Sequence, residues 1–487
     1  MAARRTLRRF GIAVLMCTLL LVPVGCDLGD SSGKPTAPTA CTSERTRSST
    51  MHDIATVSRG VEVGPLDVVV SRTGKATLAW TAAPGGFDSY RPQVVRIADD
   101  PAAPGDPHFP PGPPDPQDPL DAQVNAVTLS FPESPSGSLD IDGSDRQTLL
   151  WEQDLLTPPG PDQVFTEFYD VVTSERAPGG GWSTSPVLGF GFVSRTQLAV
   201  NASGAAVVAW ERMTQRANGP GPFRVFASYR DTAGAGWTSP ERVPNTETLE
   251  QVGIDDEGRV LLMYRGSGRT GDDSLKVVRR SRAGRWGKPQ RVGGPSVYQY
   301  QMALGAGGTA VVAYSREDEQ FTSRMFTSRM SPDGTWAAPV RQPGGLPVVP
   351  PALDMDAEGR ALTAWWHGAD LMVRWSQADG QWRKPCVLAA DVSKPHRSEL
   401  DTQLVQLVVN RRGDALVVWR AKGRVAQLWA RHKPAGRDWT RPVKMTPTDS
   451  PPQAYFVAGL GDRGHAAVAW TTRNNRQIQV RRLTPTP

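Results

Sequence analysis

Seven side chains stand just after a recurring aromatic: Glu152 after Trp151, Glu211 after Trp210, Arg265 after Tyr264, Arg316 after Tyr314–Ser315, Trp366 and His367 after Trp365, and Arg420 after Trp419. A mixed set of carboxylates, guanidiniums and one aromatic–imidazole pair suits the hydrogen bonding and stacking of a polar ligand such as a glycan. The bland alternative is a solvated rim of charges at strand ends. Catalysis would need two carboxylates, or a tyrosine and a carboxylate, converging in a pocket. Glu152 facing Glu211 beside Arg265 would be such an arrangement, but no catalytic residue can be assigned from spacing alone. The chain has no GxSxG nucleophile motif. Its six histidines lack ligand spacing and there is no CxxC, so neither a metal site nor a cofactor is expected. Asp140–Asp145 (DIDGSD) offers the oxygens of a calcium loop, but no glutamate follows at the required distance. Asp142 is better read as a turn residue.

The elements that must position these residues are hairpins. Eight copies end at Trp80, Trp151, Trp210, Tyr264, Tyr314, Trp365, Trp419 and Trp470, spaced about 50–54 residues apart from Trp210 onward. Six residues before each aromatic lies a glycine, except at Asp145; three residues earlier again stands Ser71, Asp142, Asn201, Asp255, Gly305, Asp356, Asn410 or Gly461. A short polar side chain that bonds its own backbone, followed by a residue of positive φ, closes a tight hairpin. The following strand is apolar throughout, as in Ala206–Ala209, which predicts burial on both faces. After a third alternating strand, six units carry a tryptophan with a proline three or four residues on, such as Trp286/Pro289 and Trp382/Pro385. Proline cannot donate to a ladder, so it starts an outer edge strand. Twelve of the fifteen tryptophans occupy these two repeat positions and are read as packing residues.

Four-stranded units at this period predict an all-β fold, a β-propeller of eight blades, or seven if an irregular early unit fails to form a sheet. The eighth unit runs out after Gln477–Arg482, and Met51–Ser58 is expected to supply its missing strand and close the ring. The turns Ser331–Pro339 and Ser376–Pro385, each with an Asp-Gly pair before its tryptophan, resemble the Asp-box of sialidase-type propellers. That resemblance implies a structural role for the turns and a sialidase-like fold. Sialidase chemistry would bring an arginine triad, a tyrosine–glutamate pair and an acidic aspartate, of which the sequence identifies none.

Outside the propeller, residues 1–25 combine a basic start with the apolar run Phe10–Val24 and read as a secretory signal. Leu21–Cys26 (LVPVGC) resembles a bacterial lipoprotein box, which implies lipidation of Cys26 and a membrane partner through the lipid; otherwise Cys26 is incidental and the protein secreted. Residues 26–50, rich in Ser, Thr, Pro and Gly, read as a disordered tether, and residues 51–487 as the propeller, with a proline-rich surface insertion at 100–120. Cys41 and Cys386 either pair, as an extracytoplasmic compartment would allow, or stay free. The net charge is +6, of which Arg4, Arg5, Arg8 and Arg9 supply four, so nucleic acid is not an expected partner. The favoured function is a non-catalytic, membrane-tethered propeller binding a protein or glycan; a sialidase-like hydrolase or lyase is the alternative.

Overall fold

The computed structural model describes residues 39–41, 50–59, 62–83, 91–97, 138–155, 168–216, 219–246, 248–266, 274–294, 297–317, 323–343, 351–392, 404–421, 426–447, 452, 456–472 and 477–484. The signal segment, Cys26 and the insertion at 100–120 lie outside the described residues.

Every described element is a β-strand or turn, and the strands form eight antiparallel sheets. The inner strands are Glu62–Val70, Ser138–Ile141, Val193–Val200, Thr248–Ile254, Val297–Leu304, Ala352–Met355, Val405–Val409 and Phe456–Leu460, here blades one to eight. Each adjoins the next, and the last adjoins the first, so the ring is closed. The N-terminal strands Thr50–Met51 and Ala55–Arg59 pair with Gln477–Thr484, completing blade eight from the other end of the chain. Blade one has three strands among the described residues.

The repeated turn works as its chemistry requires. Asn201 Oδ1 accepts the N–H groups of Ser203 and Ala205 at 3.0 and 2.9 Å, and Asp255, Asp356 and Asn410 do the same in their own blades. Gly204 closes its turn at φ 79°, and Asp145, where glycine is missing, still adopts φ 66°. A side chain at 204 would also meet Ala233 at 2.5 Å. In the outer strands the proline precedes the pairing residues, as Pro289 precedes Gln290–Arg291 and Pro442 precedes Val443–Lys444.

Side-chain packing makes eight apolar clusters, one at each junction between neighbouring blades. The second strands carry most of this core: Ala206 to Trp210 are fully buried in succession, because both faces of the strand meet another blade.

Polar tethers at the inner strands supplement the apolar junctions. Asp67 accepts N–H groups from Val68 and from Leu139 in blade two, both at 2.8 Å. Asp140 likewise joins Ile141 to Val200 of blade three, and Asp354 joins Met355 to Val409 of blade seven. Gln251, Gln301 and Gln406 each accept one N–H from the following blade, at Met302, Leu353 and Ala458. At the seam between blades eight and one, Gly459 and Gly461 let backbone meet backbone: an added Cβ would stand 2.8 Å from the Val68 carbonyl and 2.5 Å from that of Ser71.

Upstream of the ring, Thr39–Cys41 lies along Val387 of blade six, with Cys41 N–H on the Val387 carbonyl at 2.9 Å. Cys41 and Cys386 form a disulfide, with their Cα atoms 4.9 Å apart.

Candidate functional site on the loop face

The ring has two ends. One carries the inner hairpin turns; the other, the loop face, carries the ends of the second strands and so the residues that follow the aromatics.

On the hairpin face the central channel widens into a cavity of about 280 Å³ lined by turn residues from every blade. Its mouth is bridged. Arg411 of blade seven reaches Asp256 of blade four, Nη1 to Oδ1 at 3.1 Å and Nη2 to Oδ2 at 2.5 Å. A bidentate pair of this kind is directional as well as charged, and it ties blade seven to blade four across the ring.

On the loop face the sequence-derived residues do not stand up as an open rim. Glu152, Glu211 and Arg265 turn sideways into the junctions. Glu152 accepts the Thr196 hydroxyl of blade three at 2.9 Å. Glu211 accepts the Leu249 N–H of blade four at 2.6 Å through Oε1 and the Ser194 hydroxyl at 3.1 Å through Oε2. Arg265 donates to the Tyr300 hydroxyl of blade five at 3.2 Å and lies over its ring, 5.2 Å from the centroid. Arg316 lies over Phe326, and Arg420 donates to the Pro452 carbonyl at 3.3 Å. Trp366 requires a correction: it is 4% exposed and belongs to the core between blades six and seven, so it offers no surface aromatic. Two successive tryptophans on a strand buried on both sides simply fill one junction each. His367 is half-buried on the last residue of that strand.

The structure connects Glu211 and Arg265 through residues the repeat pattern does not mark. Arg195 sits 2.9 Å from Glu250 and 3.8 Å from Glu211, and Arg265 is 3.6 Å from Glu250. Tyr300 stands beside Glu250 as well as bonding to Arg265. The network Glu211–Arg195–Glu250–Arg265–Tyr300 therefore spans blades three to five, with Glu152 and Thr196 at its blade-two edge. Arg195, Glu250 and Gln299 lie at register shifts of the inner strands, each an extra residue that slips out of the ladder. Arg195 and Gln299 adopt φ 49° and 50°, a left-handed conformation that costs a non-glycine residue of order 1–3 kcal/mol and persists where the surroundings impose it. The signal available in the sequence was the charge of Arg195 and Glu250 within strands that carry no other charge; nothing in the period showed that a bulge would aim them at this face.

Burial sets the electrostatics. Desolvation pushes the Glu152 carboxyl up to about 7, against the Thr196 hydrogen bond. Glu211 also rises to about 7 through burial, against the pull of Arg195 and of its N–H and hydroxyl donors. Burial and the Glu250 charge both keep Tyr300 protonated far above neutrality. Chemically the site is a mixed-charge hydrogen-bonding surface: guanidiniums and a phenol that donate, carboxylates that accept. Two of the carboxylates change charge near neutral pH. Both Glu211 oxygens are committed to fixed donors, which holds this carboxyl in place as a positioned acceptor.

No family model matches the chain, and no curated protein matches it. Among solved structures it is similar to the polysaccharide lyase Uly1 (TM-score 0.43, 11% identity, 74% of this chain and 91% of that one). It is similar also to an ulvan lyase of family PL25 (0.45, 11%, 88% and 95%). A Trypanosoma rangeli sialidase in complex with the inhibitor DANA is a further likeness (0.33, 14%, 63% and 56%). At these values the likenesses lend no weight to any activity.

Proposed function

We propose that this chain is an extracytoplasmic β-propeller, tethered to a membrane by lipid on Cys26, that binds a glycan without catalysis through the loop-face network of blades three to five. The observation that carries this reading is the Glu211–Arg195–Glu250–Arg265–Tyr300 network itself. Its donors and acceptors alternate, which suits sugar hydroxyls, and each oxygen of its Glu211 carboxylate is held by one hydrogen-bond donor, with the Arg195 guanidinium 3.8 Å away. A glycan screen on the soluble form carrying Cys26→Ser tests it. Arg265→Ala and Tyr300→Phe are each expected to weaken binding at least about tenfold, the loss of one or two buried hydrogen bonds. Binding unaffected by both substitutions would overturn the site. The anchor has its own test: Cys26→Ser should move the protein from the membrane fraction to the soluble one.

A second reading, a hydrolase or lyase, is favoured by Tyr300 standing beside Glu250 and two arginines. Turnover of any chromogenic glycoside or polyuronate, abolished by Tyr300→Phe with the fold intact, would establish it in place of the first.

A further inference from the structure

Between blades one and two, on the hairpin face and away from the network above, lies a cavity of about 300 Å³ whose lining includes Lys75, Arg96 and Arg176. All three side chains are half-buried. Comparison of the repeats shows why their charge is unusual. The position four residues after the turn residue carries Arg259 in blade four and Arg360 in blade six, each bonded to its own turn aspartate, Asp255 at 2.6 Å and Asp356 at 2.5 Å. Blade one has Lys75 at this position but Ser71 at the turn, which supplies no carboxylate. Arginines near the ends of the third strands elsewhere are capped: Arg230 by Glu175, Arg280 by Glu241, Arg329 by the carbonyls of Gly359 and Ala378. Among the described residues the ammonium of Lys75 and the guanidinium of Arg96 have no such partner, and Arg176 spends one N–H on the Gly180 carbonyl at 2.9 Å. The one carboxylate among the described residues that line the cavity, Asp145, accepts the Arg72 N–H at 2.8 Å and faces the Arg72 guanidinium. Burial, and the Arg96 charge beside it, weaken the hold of Arg176 on its proton.

A second, independent feature points the same way. Gln147 also lines the cavity and is 8% exposed; its Nε2 donates to Thr77 at 2.7 Å while its Oε1 is buried with no partner among the described residues. A buried amide oxygen left without a donor costs about as much as a lost hydrogen bond, unless something supplies one. The geometry points to a ligand site here for an oxyanion carried on a hydroxylated body: the anionic group between Lys75, Arg96 and Arg176, and a hydroxyl donating to Gln147 Oε1. Sugar phosphates and sugar sulfates have this chemistry.

Calorimetric titration of the purified chain at constant ionic strength tests the site, with glucose 6-phosphate, glucose 6-sulfate, inorganic phosphate and glucose as probes. Saturable binding of one or both esters is expected, the stronger of the two identifying the oxyanion, with inorganic phosphate weaker and glucose silent. Arg96→Gln should weaken ester binding at least about tenfold, the loss of a charge-assisted contact. Gln147→Met should reduce ester binding toward that of inorganic phosphate. Without ligand, Arg96→Gln should unfold at no lower temperature than the parent, since it gives up no partner among the described residues. Binding indifferent to Arg96→Gln, or heats no larger than an equal charge of chloride gives, would overturn the proposal. So would a fall in the ligand-free unfolding temperature of that variant.

Discussion

The inner-strand aspartates show how one residue type can hold the ring while opposing it electrostatically. Asp140 and Asp354 each give one oxygen to their own strand and the other to the next blade, yet desolvation, outweighing those hydrogen bonds, raises both carboxyls to about 7, and Asp67 to about 6. Part of each residue still reaches solvent, but the carboxyl itself is enclosed. With Glu152 and Glu211 near 7 and Asp170 near 6, the folded chain keeps protons that the unfolded chain has released. The folded state therefore binds more protons between pH about 4 and about 7. Stability falls as pH rises through that window and levels off above it. His432, lowered to about 4 by burial, acts in the opposite sense as pH falls below about 6.5, but it is a single group. Urea unfolding is expected to show greater stability at pH 5 than at pH 8. Asp354→Asn turns one acceptor into a donor facing an N–H, so it should cost about 1–3 kcal/mol at pH 5 while making the pH slope shallower. A slope left unchanged would show that Asp354 does not titrate in this range.

At the level of elements, the turns and strands were legible and the bulges were not. A turn needs particular residues at particular offsets, so Asn201, Gly204 and their counterparts announce themselves at every repeat. The N-terminal strand that completes blade eight could be read from the strand missing at the other end. Proline placed the outer strands, because its lost N–H restricts it to an edge start. By contrast, Arg195 and Glu250 reach the loop face only because the inner strands slip register, and a slip leaves no mark on hydrophobic period. Glu152, Glu211 and Arg265 were found by position, but not their sideways course into the junctions. Trp366 is misread because the repeat aromatic Trp365 looks like the end of its strand, whereas the strand runs on to His367. The turn asparagines do more than close hairpins: Asn201 Nδ2 donates to the Asp255 carbonyl of the next blade at 2.7 Å. Asn201→Asp keeps the turn acceptor but sets an oxygen against that carbonyl. We expect it to destabilise by about 1–3 kcal/mol in chemical denaturation, with Asn201→Ser, which leaves no opposed charge, costing less.

For the whole molecule, stability is shared around a closed ring of eight equivalent apolar junctions, and seven of them join blades consecutive in sequence. The eighth joins the two ends of the chain, at glycines where backbones touch. The disulfide fixes a segment upstream of that seam to blade six, enclosing a loop of 345 residues. Cross-links over such long loops typically contribute about 2–5 kcal/mol, so Cys41→Ser with Cys386→Ser should lower the urea midpoint correspondingly. An unchanged midpoint would mean that the reduced ends stay as constrained as the bridged ones.

The position of that cross-link matters when the N-terminus is pulled. Tension arriving from residues before Cys41 meets a covalent bond to blade six ahead of the hydrogen-bonded strand Ala55–Arg59, which would otherwise peel from Gln477–Thr484 one pair at a time. The bridge thus works as a strain relief, like the clamp that keeps a tugged cable from drawing on its soldered joint. In single-molecule stretching between the two termini, the oxidised chain should hold its closing strand to higher force than the reduced one.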